Sequence, residues 1–271
     1  MRLALLPVVV AALLGLAACD FDLDLDGGHY SRDFHYSYPL NAGAKISVEA
    51  FNGSIDISGW DQNMVEINGT KYGPTQQAAD DLGVSVDHGP TSVAIRVQRP
   101  SMTRGGMGVR FTIQVPRSAV LDFLSTSNGS IHVTDGMGPA RLRTSNGGIR
   151  VIGLEGSLEA TTSNGPIQAE LKTVNAPVRA ETSNGSIELR LPATLRDEVR
   201  AHTSNGGITV HLPEAVNARL SAHTSNASIS SDFDLKTTGE MGRNHVDAVL
   251  GNGGPLVELS TSNGGIHLLR M

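Results

Sequence analysis

The chain has 271 residues, of which 31 are glycine, 4% are aromatic and one is cysteine. This composition points away from an aromatic-rich, helical enzyme and towards repetitive β-structure, and a single cysteine excludes an internal disulfide. A formal net charge of −6 with both signs well mixed argues against nucleic acid and against a broad basic contact with anionic lipid.

Residues 1–18 read as a secretory signal: Arg2 supplies a positive start, Leu3 to Leu14 an apolar run, and Gly15-Leu16-Ala17-Ala18 a small-residue exit. The run is too short to remain as a membrane-spanning helix. Leu16-Ala17-Ala18-Cys19 resembles a bacterial lipobox, which makes Cys19 the expected site of lipidation and the membrane the expected partner through that anchor. Loss of the signal removes only Arg2 among charged residues, so −6 minus one becomes −7. The expected location is the bacterial cell envelope: the periplasmic face of the inner or outer membrane, or the cell surface.

Residues 19–36 read as an acidic tether. Asp22, Asp24, Asp26 and Asp33, with Gly27 at the sixth place, approach a calcium-loop pattern. Asp33 stands where the longer Glu is usual, His29 where an aliphatic is usual, and no helix can precede a loop so close to Cys19. Residues 37–118 read as an irregular β-region that starts the fold. Within it, residues 100–108, carrying Arg104-Gly105-Gly106, form a basic loop.

Residues 119–271 are dominated by a repeat. Thr-Ser-Asn-Gly places its asparagine at Asn128, Asn146, Asn164, Asn184, Asn205 and Asn263, with Thr-Ser-Asn-Ala at Asn226. By subtraction the steps are 18, 18, 20, 21, 21 and 37 residues. Phe51-Asn52-Gly53 is a weaker early copy. Short period-two runs flank each motif, as in Val178, Ala180, Thr182 before Asn184 and Ile187, Leu189, Leu191 after it. That period is strand, and a motif returning at near-constant spacing predicts stacked parallel rungs. The expected fold is all-β, a β-solenoid with an N-terminal cap. An antiparallel meander with Asn-Gly hairpin turns is the competing reading, and its runs are too short for a membrane barrel. Strict alternation places threonine and asparagine inward and serine outward. It predicts a ladder of asparagine amides about 4.8 Å apart, with the glycine turning the corner at φ > 0.

The Asn52-Gly53-Ser54-Ile55 start, the Phe111-Thr112-Ile113-Gln114-Val115-Pro116 strand, the serial Thr-Ser-Asn-Gly turns and Gly251-Asn252-Gly253-Gly254 resemble a bacterial domain-of-unknown-function family described as putative adhesins. The resemblance covers roughly residues 30–271 and implies a β-solenoid with an adhesive role.

No catalytic residue, resident metal or cofactor is expected, since nucleophile-elbow, zinc-helix and phosphate-loop motifs are all missing. Outward acids (Glu159, Glu170, Glu181, Glu188, Glu258) are scattered, against a carbohydrate-active enzyme. His202 and His223 read as neighbours in one outward column, where two imidazoles about 5 Å apart could share zinc; the competing reading is two solvent-facing histidines. The expected function is a non-catalytic envelope lipoprotein presenting its solenoid to an envelope protein or glycan, with a stress-linked or regulatory component and a carbohydrate-active enzyme as alternatives. The last rung, Ile266 to Arg270, ends the chain without a cap. Either self-association through that end or cover by residues 236–254, with Arg243, Asn244, His245 and Asp247, is expected.

Overall fold

The computed structural model describes residues 30–100 and 106–271, excluding the side chains of residues 237–241. Cys19, the acidic stretch from Asp22 to Gly27 and Arg104-Gly105 lie outside the described residues.

The chain opens with β1 (Tyr30–Pro39), β2 (Lys45–Glu49), β3 (Ile55–Trp60) and β4 (Met64–Gly73). A short helix α1 (Gln76–Asp80), capped by the Thr75 side chain, leads to β5 (Gly83–Gly89), β6 (Ser92–Gln98) and β7 (Gly108–Pro116). Regular rungs follow, each one strand in either sheet: β8 (Val120–Ser125) with β9 (Ile131–Thr134), β10 (Ala140–Arg143) with β11 (Ile149–Leu154), and β12 (Leu158–Thr161) with β13 (Ile167–Leu171). Next come β14 (Val178–Thr182) with β15 (Ile187–Arg190), β16 (Val199–Thr203) with β17 (Ile208–Leu212), and β18 (Ala218–Thr224) with β19 (Ile229–Ser231). The chain ends with a hairpin, β20 (Lys236–Met241) and β21 (His245–Leu250), and a last rung, β22 (Leu256–Thr261) with β23 (Ile266–Arg270).

These strands form a β-solenoid of two sheets, parallel in its body and antiparallel at its ends. One sheet runs β1-β4-β7-β3-β9-β11-β13-β15-β17-β23-β19, here called sheet A. The other, sheet B, runs β20-β21-β18-β22-β16-β14-β12-β10-β8-β2-β6-β5. The rung β2–β3, first in sequence, is held between β6–β7 and β8–β9, and the rung β22–β23, last in sequence, between β16–β17 and β18–β19. The first and last rungs in sequence are therefore each tucked inside the stack, while β1 lies at the edge of sheet A.

That placement accounts for the 37-residue step, which carries an inserted hairpin. From Asn226 the chain completes β19, adds the hairpin β20–β21 against β18, and threads back between two rungs already made. The last rung is covered on both sides, and residues 236–250 cap its neighbour β18 rather than covering it directly.

Alternation decides what is inside. The residue three after each motif asparagine is isoleucine, and Ile131, Ile149, Ile167, Ile187, Ile208 and Ile266 stack in register at 0–1% exposure. In sheet B, Ala160, Ala180 and Ala201 form a column of small residues. Bulky and small columns together fill the space between the two sheets. Aromatic side chains gather instead at the N-terminal end. Phe34 lies over Gly69, where an added Cβ would meet its ring, and stands edge-on to Phe111 at 6.1 Å. Tyr38 stacks on His88 of β5 at 3.8 Å, which closes the core between the two end strands. Residues 30–36, read from sequence as tether, belong to β1. Among the described residues no helix is long and apolar enough to cross a membrane.

Candidate functional site

The repeated corner is assembled from three ladders. A threonine at or just past the end of each regular sheet-B strand points inward: Thr126, Thr144, Thr162, Thr182, Thr203, Thr224 and Thr261 are all buried. Each hydroxyl donates to a glycine carbonyl of the adjacent rung at 2.8–3.1 Å, as Thr203 does to Gly185. The asparagines form a continuous amide chain in spatial rather than sequence order: Asn52, Asn128, Asn146, Asn164, Asn184, Asn205, Asn263, Asn226. Each Nδ2 donates to the preceding Oδ1 at 2.6–2.7 Å, and Asn52 ends the chain by donating to the Met107 carbonyl.

Two details differ from the alternation argument. The motif asparagines are exposed, because the strand ends at threonine and the period of two does not continue around the corner. The motif glycines from Gly129 onward do not adopt positive φ; of the motif copies only Gly53 does. Their requirement is space, since a Cβ at any of them would overlap the preceding rung's glycine carbonyl. Exposure also rescales the energetics. Asn184→Ala leaves partners that water can reach, so about 1 kcal/mol is expected, with Ser183→Ala near zero. Thr203→Val strands a buried carbonyl and should cost more, about 2 kcal/mol. Denaturant melts of the three variants check the order; a valine variant as stable as the parent removes the threonine ladder from the account.

The corner threonines and asparagines spend their hydrogen bonds on one another's rungs, and the positions that vary from rung to rung lie on the faces of the sheets. The residue four after each motif asparagine points outward from sheet A. Asp56, His132, Arg150, Gln168, Glu188, Thr209, His267 and Ser230 stand in one register row. Thr112, Asn68 and His35 continue it across the antiparallel strands. Eleven strands at about 4.8 Å make this polar row roughly 48 Å long. Neighbours within it are joined: His132 Nδ1 lies 2.7 Å from Asp56 Oδ1, His35 Nδ1 2.8 Å from Asn68 Oδ1, and His267 Nδ1 2.7 Å from Ser230 Oγ. An open cleft along the N-terminal half is lined by Asp33, His35, Asp56, Asn68, Arg110 and Thr112. The sequence held a signal for this row: a constant offset from the motif with a changing polar residue, amid positions that hardly change.

Outside sheet B, the residue three before each asparagine forms a second row, Glu49, Ser125, Arg143, Thr161, Glu181, His202, Ser260 and His223. Ser260 of the inserted rung separates His202 from His223, so these two are not neighbours and the paired-imidazole zinc reading fails on topology. His223 instead faces His245 of the capping hairpin, with ring centroids 5.9 Å apart. His245 Nε2 lies 2.9 Å from Asp247 Oδ2, and hydrogen bonds from Ser221 and then His245 hold the Asp247 carboxyl below its ordinary range. Among the described residues no group of three or more His, Cys, Asp or Glu side chains is arranged to hold a metal. Asp33, the twelfth place of the calcium-like pattern, sits in a strand and accepts a 2.6 Å hydrogen bond from Thr70.

No curated protein is similar enough to count as a relative. Solved structures with a similar arrangement include a putative cell adhesion protein from Clostridium sporogenes (11% identity, TM-score 0.42, covering 89% of this chain and 100% of its own). A putative adhesin from Bacteroides fragilis (14% identity, TM-score 0.36) covers 88% of this chain and 97% of its own. A putative lipid binding protein from Parabacteroides distasonis (14% identity, TM-score 0.43) covers 90% and 98%. The family model described as Toastrack DUF4097 matches residues 37–219, from the end of β1 into β18. That span takes in the antiparallel start and most of the repeated rungs, and the chain accordingly belongs to the Toastrack DUF4097 family.

Proposed function

We propose that the protein is a non-catalytic, lipid-anchored component of the bacterial cell envelope that binds an envelope protein or glycan along the outside of its solenoid, in the manner of an adhesin. The observation that carries this reading is the polar row on sheet A. The inward residues and the corner threonines, asparagines and glycines have structural tasks, while the row keeps its scaffold constant and varies only the side chain presented. A rigid wall with changing polar groups at strand spacing suits an extended partner, because its side chains are held in place before binding. The lipobox-like stretch ending at Cys19 supports anchoring, and a multiply acylated cysteine would hold the wall at a membrane surface.

Crosslinking capture from envelopes tests this, using the native protein, a Cys19→Ser form and an Arg150→Glu/Glu188→Arg form, read by mass spectrometry. One partner or polymer should be enriched with the native protein and reduced with both variants. Capture indifferent to the Arg150/Glu188 exchange would show that the row is not the contact, and background alone from the native protein would sink the binding role.

A further inference from the structure

We infer that β1 is a self-pairing edge, through which two copies of this chain join their A sheets into one continuous antiparallel sheet. Four edge strands end the two sheets, and three are poor templates. β19 has three residues, β20 carries a register shift, and β5 is seven residues bounded by glycine at both ends. Short and bulged edges are ways in which proteins prevent strand addition. β1 has neither defence: it pairs with β4 over ten residues without a break in register, and its other side carries no strand among the described residues. It also bears two of the exposed large hydrophobic side chains, Tyr30 at 48% and Tyr36 at 37% exposure.

The occupant follows from the order of residues along β1. Two antiparallel copies related by a two-fold axis perpendicular to the sheet must pair residues whose numbers sum to an even value, so that inward faces inward. A sum of 66 sets Asp33 against Asp33, 64 sets Arg32 against Arg32, and 70 sets His35 against His35. A sum of 68 sets Phe34 against its own copy and Asp33 against His35 on the outer face. On the inner face it sets Arg32 against Tyr36 and Tyr30 against Tyr38. This register pairs every residue from Tyr30 to Tyr38 and leaves out Pro39, which has no N–H to give. A carboxylate opposite an imidazole and aromatic cross-strand pairs are of the kind that stabilise an antiparallel ladder. The inner-face row Phe34, Tyr36, Tyr38, with ring centroids 5.6 and 6.2 Å apart, would continue across the axis.

Ser31 and Ser37 fall opposite each other in this register, point outward, and can be changed without touching the core. In the Cys19→Ser background, sedimentation should show a dimer. Ser31→Lys/Ser37→Lys should weaken its Kd by about tenfold or more relative to Ser31→Glu/Ser37→Lys, which puts opposite charges across the interface. Thermal melts of both should match the parent, showing that the monomer fold is intact. Ser31→Cys/Ser37→Cys should oxidise to a covalent dimer while each single cysteine does not. A monomer at the highest soluble concentration, a dimer indifferent to the two lysines, or crosslinking by either single cysteine would each overturn the proposal; the first would leave β1 to a strand from another protein.

Discussion

Replacing Gly185 by alanine is expected to cost about 3 kcal/mol or more, although it adds a single methyl group. The ordinary reason for a glycine penalty, a left-handed backbone, does not apply, because Gly185 is not at positive φ. The new Cβ would instead overlap the carbonyl oxygen of Gly165. That oxygen is fixed from the other side, since it accepts the buried Thr182 hydroxyl at 3.1 Å, and Asn184 beside it is tied to Asn164 at 2.7 Å. Relief would require two rungs to separate at the corner, which lengthens both ladders and lets adjacent strand pairing slip. Side chains can rotate away from a clash; backbone stacked on backbone cannot. At roughly 2–4 °C per kcal/mol for a chain of this size, the melting temperature should fall by about 6–12 °C. The one motif copy without glycine supplies the control. Ala227 belongs to β18–β19, where a Cβ is already present and beyond which lies no further motif corner but only the hairpin turn, whose Asn244 and Arg243 carbonyls accept from the Thr224 and Ile229 N–H. Ala227→Gly should therefore change the melting temperature little. If Gly185→Ala is as mild as Ala227→Gly, close approach is not what the motif glycine serves.

The contrast between these two positions also shows what a sequence of this kind reveals. Period-two runs and the returning Thr-Ser-Asn-Gly are local features, and local features predict the strands, the inward threonines and the stacking of like on like. The asparagine was harder to place, because alternation is a rule for extended chain and lapses where the chain bends after Thr182 or Thr203. The polar row four residues beyond each asparagine is present in the spacing but hidden, because its residues change from rung to rung and so do not look like a motif. Spatial order was not legible at all. When every rung carries the same residues at the same register, any copy can stack on any other, and pairing energies hardly distinguish the arrangements. What separates them lies in the non-repeating parts: the hairpin β20–β21 that occupies the free side of β18, and the antiparallel β4, β5 and β1 at the other end. The pairing of His223 with His245, the separation of His202 from His223, and the shielded last rung all follow from those few segments.

The inserted last rung leads to the second large expected effect. Ile266 is five residues from the last of the sequence, Met271, a place where truncation of a side chain is ordinarily cheap because ends fray. Here it is 0% exposed, between Ile208 of β17 and Ile229 of β19. Ile266→Ala should then behave like a mid-stack substitution such as Ile187→Ala, each costing about 3–4 kcal/mol through lost burial and an unfilled cavity. Ile229→Ala, thirty-seven positions earlier but in the outermost rung and only partly buried, should cost about half as much. Equilibrium unfolding of the three variants distinguishes spatial from sequential order. Were the rungs stacked in sequence order, Ile229 would be the sandwiched residue and the ranking of Ile266 and Ile229 would reverse. The same arrangement bears on folding: β18–β19 cannot settle against its native neighbour until the final residues have been made and placed beneath it. The stack should thus close late, with hydrogen exchange at Ile229 and His245 slowing only after exchange at Ile187 has slowed.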